Sequence, residues 1–152
     1  MIEHTLYNAY TKVPSLNKRS IINFVQTNSS HTDLSAEMIS EAIDYAVKEI
    51  PSFGGFILTA KKENRMVGAI VVNKTGLNGG NPKHSIVYLA LDKKHRQHDI
   101  SAELIRRAIK LAGGDISLRV EHNSDSIDHF KTLGFQTKYV EMRMTSQNIN
   151  HG

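Results

Sequence analysis

The stretch that most constrains the fold is the run of residues 85–114, which reads SIVYLALDKKHRQHDISAELIRRAIKLAGG. Its beginning, SIVYLAL, is almost continuously apolar, which predicts a strand buried on both faces of a sheet. Apolar side chains with helical spacing then predict a helix over residues 100–112; they are Leu104, Ile105, Ala108, Ile109 and Ala112. Gly113 and Gly114 predict the end of that helix. Such a unit requires a sheet covered by helices.

The rest of the chain predicts further strands and helices around this unit. Helices are expected from about Pro14 and Ser15, over 35–50 with Pro51 as the stop, and over 124–133 with an end at Gly134. Strands are expected over 56–60 and 66–72, joined by a charged turn at 62–65, and over 116–120, 135–145 and 4–12. The predicted fold class is therefore mixed α/β, with a mainly antiparallel sheet and helices on both faces.

Composition limits the classes of function that the chain can have. Its 152 residues predict a single domain over residues 1–145, followed by a frayed polar tail at 146–152. The absence of cysteine excludes disulfides, a thiolate nucleophile and cysteine-bound zinc. No apolar stretch is long enough to span a membrane and the first residues do not resemble a signal peptide, so a cytoplasmic protein is expected. The net charge of +4 suits an anionic ligand. Without a basic tail or an aromatic ladder, the chain is not expected to bind nucleic acid.

The loop DKKHRQHD at residues 92–99 raises the question of a phosphate site. A basic loop between a strand and a helix is a common phosphate-binding arrangement, because the first N–H groups of a helix point at the anion. This loop has no glycine, however, and Asp99 lies where an anion would sit. The residues alone also allow a plain strand-to-helix turn with a solvated basic rim. Asp99 could face the phosphate, or it could cap its own helix.

A second pattern, after the strand at 116–120, decides how the loop is interpreted. It consists of Asn123, Ser126, Phe130, Gly134 and Phe135. This spacing resembles the N-x-x-A-x-x-x-Y-x-x-x-G-F motif of the GCN5-related N-acetyltransferase family. The family's cofactor loop, L-x-V-x-P-x-x-R-x-x-G-x-G/A, is matched in part by Leu89, Leu91, Arg96, Asp99 and Ser101. The resemblance spans residues 53–144 and extends only loosely to the N-terminal helices.

The resemblance implies the fold of that family and the transfer of an acetyl group from acetyl-coenzyme A to a primary amine. It implies an acceptor that is a small molecule or a peptide, and a homodimer as one allowed assembly. Direct attack in a ternary complex is expected because the chain has no cysteine to carry the acetyl group, and no metal is expected. The coenzyme A site that it implies consists of Leu89, Ala90, Leu91, Arg96, Gln97, His98, Asp99, Ile100, Ser101, Ala102, Asn123, Ser126 and Phe130. The histidines do not form a recognised metal-ligand spacing.

The catalytic residues are less well defined than the cofactor loop. Where the family often has a proton-donating tyrosine, this chain has Phe130, which has no proton to give. The predicted central strand has no carboxylate, so the candidates for the general base are Tyr88, His84, Glu121 and His122. The departures from the family pattern at Asp99, Ser101 and Phe130 also leave open a binding or regulatory module with weak or no catalysis.

Overall fold

A computed structural model describes residues 1–29, 33–95 and 98–149. Two compact units are present, Met1–Val120 and Glu121–Gly152. The elements are β1 (Ile2–Tyr7), α1 (Ser15–Asn28), α2 (Ala36–Val47), β2 (Gly55–Lys62), β3 (Arg65–Lys74), β4 (His84–Leu91), α3 (His98–Ala112), β5 (Ile116–Leu118), α4 (Ser126–Thr132) and α5 (Ser146–Ile149). A short 3₁₀ turn, Lys93–His95, lies between β4 and α3.

The five strands form one sheet in the order β1-β2-β3-β4-β5. The first three pairings are antiparallel, and β5 pairs in parallel with β4. The predicted β2–β3 hairpin is confirmed: its tip is formed by Glu63 and Asn64, with φ values of 51° and 66°. Two successive positive φ values suit the right-handed twist of a hairpin. The predicted fold class, mixed α/β with a mainly antiparallel sheet, is confirmed.

Helices cover both faces of the sheet, as predicted. Helices α1 and α2 bury one face, whose core includes Ile57, Val71 and Tyr88. Helix α3 lies on the other face, where it approaches so closely at Gly68 that an added Cβ would be 2.9 Å from Leu104 Cδ1. Of the predicted core positions of α3, Leu104, Ile105 and Ala108 are buried, whereas Ile109 is 47% exposed.

The prediction that β4 is buried on both faces is wrong. Its burial alternates: Ile86, Tyr88 and Ala90 are buried, and Leu89 and Leu91 are only half-buried. The reason is that α3 packs chiefly against β2 and β3 and makes fewer contacts with β4. The apolar run therefore marks a strand at an open part of the sheet.

The predicted closing strand over residues 135–145 is also wrong. This segment forms no strand in the structure, and its apolar side chains are exposed, with Tyr139 at 86% and Met142 at 91%. An alternating pattern indicates that a segment can form a strand, but the hydrogen bonds must come from a partner. Within the described part of Glu121–Gly152 no strand is available to pair with it.

Several predicted boundaries shift by a few residues. Helix α2 ends at Val47 rather than at residue 50, because Lys48 adopts the left-handed conformation with φ 59°. Strand β1 occupies residues 2–7 rather than 4–12, and β5 is shorter than the predicted range 116–120. The predicted helix ends at Gly113 and Gly134 are confirmed, with φ values of 69° and 105°.

The stability of the sheet should fall in mild acid because of His84. Burial, and then the charge of Lys74, lower the pKa of His84 below its ordinary 6.5. A lowered folded-state pKa means that the proton binds the unfolded chain more readily, so this stability is complete above about pH 6.5 and is lost as the pH falls through the folded-state pKa. We expect the unfolding temperature of His84→Gln to depend less on pH than that of the wild type between about pH 7 and pH 5. An equal pH dependence of the unfolding temperature in His84→Gln and the wild type would contradict this prediction.

Candidate functional site

Among the described residues, no named strand pairs with the C-terminal half of β4 on the side away from β3, and we call this side the open edge. Strand β5 pairs with β4 only at His84–Ile86, through Ile116–Leu118. Beyond this point β4 continues to Leu91 with β3 on its other side, and no pairing with β5 is made. Three of the predicted cofactor residues, Leu89, Ala90 and Leu91, lie in this open part.

The register of β4 shows which backbone groups face the open edge. The N–H of Asp92 donates to Val67 O at 2.9 Å, so this position bonds towards β3. In an antiparallel ladder such positions recur at every second residue, so Ala90 also turns its backbone groups to β3. Leu89 and Leu91 therefore direct their N–H and C=O groups away from β3, to the open edge. Ser29, at the end of α1, forms an isolated antiparallel bridge with Ala90 on this edge.

Asp92 anchors the loop that leaves β4, a role that was not predicted from the sequence. Its side chain is buried, one carboxylate oxygen accepts from the N–H of Lys94 at 2.9 Å, and the other lies 3.4 Å from Arg65 Nη2. These contacts hold the start of the loop against the β2–β3 hairpin. The only signal in the sequence is an aspartate directly after an apolar strand, which is compatible with many other roles.

Helix α3 begins at His98, one residue before Asp99. The alternative that Asp99 caps its own helix is therefore wrong, because the capping residue precedes the first helical residue. Asp99 lies within the first turn and is exposed, and a carboxylate there is favourable for the helix dipole. The N–H groups of His98, Asp99 and Ile100 have no partner within the helix and point out of its N-terminus. Arg96 and Gln97, also predicted to bind the cofactor, lie outside the described residues.

Ser101 and Ala102 follow in the same turn. Ser101 is buried with 0% exposure, so its hydroxyl is not open to solvent in this structure. The position that the family gives to a small residue is thus used here for close packing of α3. Ala102 is half-buried.

Tyr88 lies on β4 two residues before Ala90 and on the face covered by α1 and α2. Its side chain is 7% exposed. Burial, and then the negative charge of Glu41 on α2, raise the pKa of the Tyr88 hydroxyl above its ordinary 10.0. The hydroxyl is therefore protonated at neutral pH, which argues against the predicted role of Tyr88 as the general base and leaves a proton available for donation.

The remaining predicted residues lie in the second unit, Glu121–Gly152. Glu121, His122 and Asn123 form an exposed turn that closes with Ser124 N–H donating to Glu121 O at 3.0 Å. The Ser126 hydroxyl is 2.6 Å from that of Ser124 at the start of α4. The structure thus gathers these three turn residues and Ser126 in one short segment.

Phe130 is half-buried in α4, and its ring meets that of Phe135 edge-on, with ring centroids 5.8 Å apart. The helix ends as the Phe135 N–H donates to Phe130 O at 3.1 Å, and Gly134 supplies the positive φ of 105° that this turn requires. The Gly-Phe pair of the motif therefore closes α4.

A cleft of about 150 Å³ lies apart from these residues, between α1 and strands β1–β3. It is lined by Tyr7, Leu16, Asn17, Ser20, Ile21, Thr59, Lys61 and Met66. None of the predicted site residues lines it, so the open edge of β4, and not this cleft, is the candidate site.

Metal-binding clusters and membrane-spanning helices are both missing from the described residues. Within residues 1–29, 33–95 and 98–149, no cluster of three or more His, Asp or Glu side chains could hold a metal ion. Among the helices of the same described ranges, none has the length and apolarity to cross a membrane.

Comparison with solved structures finds the same fold repeatedly. A possible acetyltransferase from Clostridium difficile 630 matches with a TM-score of 0.70 and 14% identity, over 96% of this chain and 97% of that one. The aminoglycoside N-acetyltransferase AAC(6')-Iy in complex with CoA matches with a TM-score of 0.69 and 11% identity, over 96% and 95%. The aminoglycoside 6'-N-acetyltransferase AAC(6')-Ig from Acinetobacter haemolyticus matches with a TM-score of 0.66 and 13% identity, over 96% and 97%. At these identities the likeness shows the fold.

A model of the acetyltransferase (GNAT) family matches residues 20–135. The match includes the open edge of β4, the first turn of α3 and the whole of the second motif. The chain therefore belongs to the GNAT acetyltransferase family. A sequence search of curated proteins finds no match.

Proposed function

We propose that this protein transfers an acetyl group from acetyl-coenzyme A to a primary amine, by direct attack in a ternary complex. The observation that carries the proposal is the open edge of β4, together with the first N–H groups of α3, which have no partner within that helix. The pantetheine arm of coenzyme A is extended and contains amides, so it can pair with backbone groups on the edge of a strand. Its pyrophosphate can be held by the N–H groups at the start of a helix.

Two features of the candidate site favour binding of the cofactor, and one opposes it. Leu89 and Leu91 direct backbone groups to the open edge, where the amides of the pantetheine arm would pair. The N–H groups at His98, Asp99 and Ile100, with Arg96 before them, would hold the pyrophosphate. The carboxylate of Asp99 opposes that binding by charge repulsion. The resemblance to the family also implies cofactor contacts for Asn123, Ser126 and Phe130, and these contacts remain predictions.

Bound acetyl-coenzyme A supplies an acetyl thioester: the acceptor nitrogen bonds to the acetyl carbon as the carbon–sulfur bond breaks, and the sulfur leaves as a thiolate. Two proton movements accompany this exchange, one from the amine and one to the sulfur. We assign the second to Tyr88, because it lies on β4 directly before Leu89 and carries a hydroxyl that is protonated at neutral pH. Glu121 and His122 are the candidates for accepting the proton of the amine.

The acceptor class proposed is a small-molecule or peptide amine. Two structurally similar proteins are aminoglycoside N-acetyltransferases, whose acceptors carry amino groups.

The proposal is tested by calorimetry with acetyl-coenzyme A, followed by a thiol-release assay against a panel of amines. We expect saturable binding and release of thiol with at least one amine. No binding at millimolar cofactor would contradict the proposal, and binding without thiol release across a broad panel would instead indicate a binding module.

Asp99→Asn should strengthen binding of the cofactor. It removes the charge and retains the backbone N–H. A carboxylate ~5 Å from a phosphate charge costs about 1 kcal/mol in a water-exposed setting, so affinity should rise about fivefold. Asp115→Asn is the matched control, because this exposed residue lies beyond the far end of α3, roughly 20 Å away. An equal gain in both variants would show that overall charge, and not the position of Asp99, sets the affinity.

A further inference from the structure

Ser29, which follows α1, occupies part of the edge at which the cofactor is proposed to bind. It forms an antiparallel bridge with Ala90, in the part of β4 that β5 leaves unpaired. Residues that face each other in such a bridge bond either directly or through their neighbours.

Direct bonds between Ser29 and Ala90 are not available. The N–H of Ser29 already donates to Val25 O at 2.9 Å, which closes the last turn of α1. The backbone groups of Ala90 turn to β3, by the register described above. The bridge therefore uses groups of the neighbouring residues on β4, which are Leu89 and Leu91.

Leu89 and Leu91 are also the residues whose backbone groups would pair with the pantetheine arm. A strand edge offers one row of donors and acceptors, and one extended chain fills it. The end of α1 and the cofactor therefore require the same groups.

We propose that the end of α1 is an internal competitor of the cofactor, so that acetyl-coenzyme A binds only after the Ser29–Ala90 bridge opens. The inference rests on the proposed function, because it assumes that the cofactor binds at this edge. In addition to that function, it predicts a closed conformation of the protein that does not bind the cofactor. The affinity for the cofactor then depends on the position of α1. The measured affinity is lowered by the fraction of molecules in which the bridge is closed.

A reversible cross-link tests this competition, since the chain has no cysteine of its own. Residues that face each other in a non-hydrogen-bonded antiparallel pair have Cα atoms about 4.5 Å apart, within the range that a disulfide spans. The double variant Ser29→Cys/Ala90→Cys should therefore lose both free thiols on mild oxidation and remain folded. Failure to form this disulfide would overturn the inference.

The oxidised double variant should bind acetyl-coenzyme A at least about tenfold more weakly than the same protein after reduction. The reduced form is the matched control, because it has the same residues without the link. The single variants Ser29→Cys and Ala90→Cys, treated with the same oxidant, show any effect of oxidation itself. Equal affinity of the oxidised and reduced double variant would overturn the competition.

The wild type separates this result from a failure of the proposed function. If the wild type binds acetyl-coenzyme A and the oxidised double variant binds it more weakly than its own reduced form, function and competition are both supported. If the wild type does not bind, the proposed function is wrong and the competition falls with it. If the wild type binds and the oxidised form binds equally well, the competition alone is wrong.

Discussion

Tyr88→Phe should lower kcat/KM for acetyl transfer about 100-fold and leave the affinity for acetyl-coenzyme A nearly unchanged. The substitution removes the hydroxyl proposed to protonate the leaving sulfur. Its buried ring remains, and the backbone groups of β4 proposed to hold the cofactor are not altered. Loss of turnover without loss of binding is the expected result of removing an acid that acts in the transition state only.

Tyr7→Phe is the matched control for this experiment. Tyr7 is on β1, facing the same helices, and is 8% exposed, against 7% for Tyr88. Its hydroxyl accepts from Asn17 Nδ2 at 3.2 Å, away from the open edge of β4. We expect full activity and a stability loss of about 1 kcal/mol. Equal activity of Tyr88→Phe and Tyr7→Phe would exclude Tyr88 as the proton donor.

The pH dependence of turnover gives a second measurement on Tyr88. A donor acts only while protonated, and the pKa of Tyr88 is raised above its ordinary 10.0. Any loss of activity due to Tyr88 should therefore begin above about pH 10. A wild-type profile that falls on the basic side well below this value would assign that limb to another group.

Gly55→Ala should destabilise the protein by roughly 3 kcal/mol, equivalent to a fall of about 10 °C in the unfolding temperature. An added Cβ at Gly55 would be 2.1 Å from the backbone oxygen of Val72 and 2.8 Å from the Cα of Asn73. Both atoms belong to the backbone of β3, so no side-chain rotation can relieve the overlap. The start of β2 would have to move away from β3.

Gly114→Ala provides the same chemical change without that contact. An added Cβ at Gly114 meets no atom within 4 Å. Neither glycine has a φ in the left-handed region, so the two variants differ mainly in the space around the new methyl group. We expect Gly114→Ala to change the free energy of unfolding by less than about 0.5 kcal/mol. Similar values for the two variants would show that β2 has freedom to move at Gly55.

Much of the fold could be predicted because its elements follow local patterns. The helical spacing of Leu104, Ile105 and Ala108 is a property of neighbouring residues, and the structure confirms their burial. The turn at Glu63 and Asn64 and the helix end at Gly113 depend likewise on a few residues. The motif around Phe130 and Gly134 led to the family, which the match over residues 20–135 confirms.

The prediction failed where a segment depends on a distant partner. Residues 135–145 alternate as a strand does, but the residues that would pair with them are not specified by that alternation.

The start of α3 was predicted one or two residues too late. Because the helix begins at His98, Asp99 lies in its first turn and not in the capping position. A shift of one residue in the start of a helix changes which N–H groups lack a partner within it. Local sequence patterns do not locate the start of a helix to within one residue.

The sequence by itself determined the type and order of most elements, the mainly antiparallel α/β class and the family. Periodicity and turn residues act over a few positions, so they can be identified along the chain. The tertiary structure decided that β5 leaves half of β4 unpaired, that Asp92 anchors the loop, and that Ser29 meets Ala90. Ser29 and Ala90 are far apart in the chain, and their contact depends on how α1 packs across the sheet. Whether the edge of β4 is open or already occupied is therefore a property of the folded molecule.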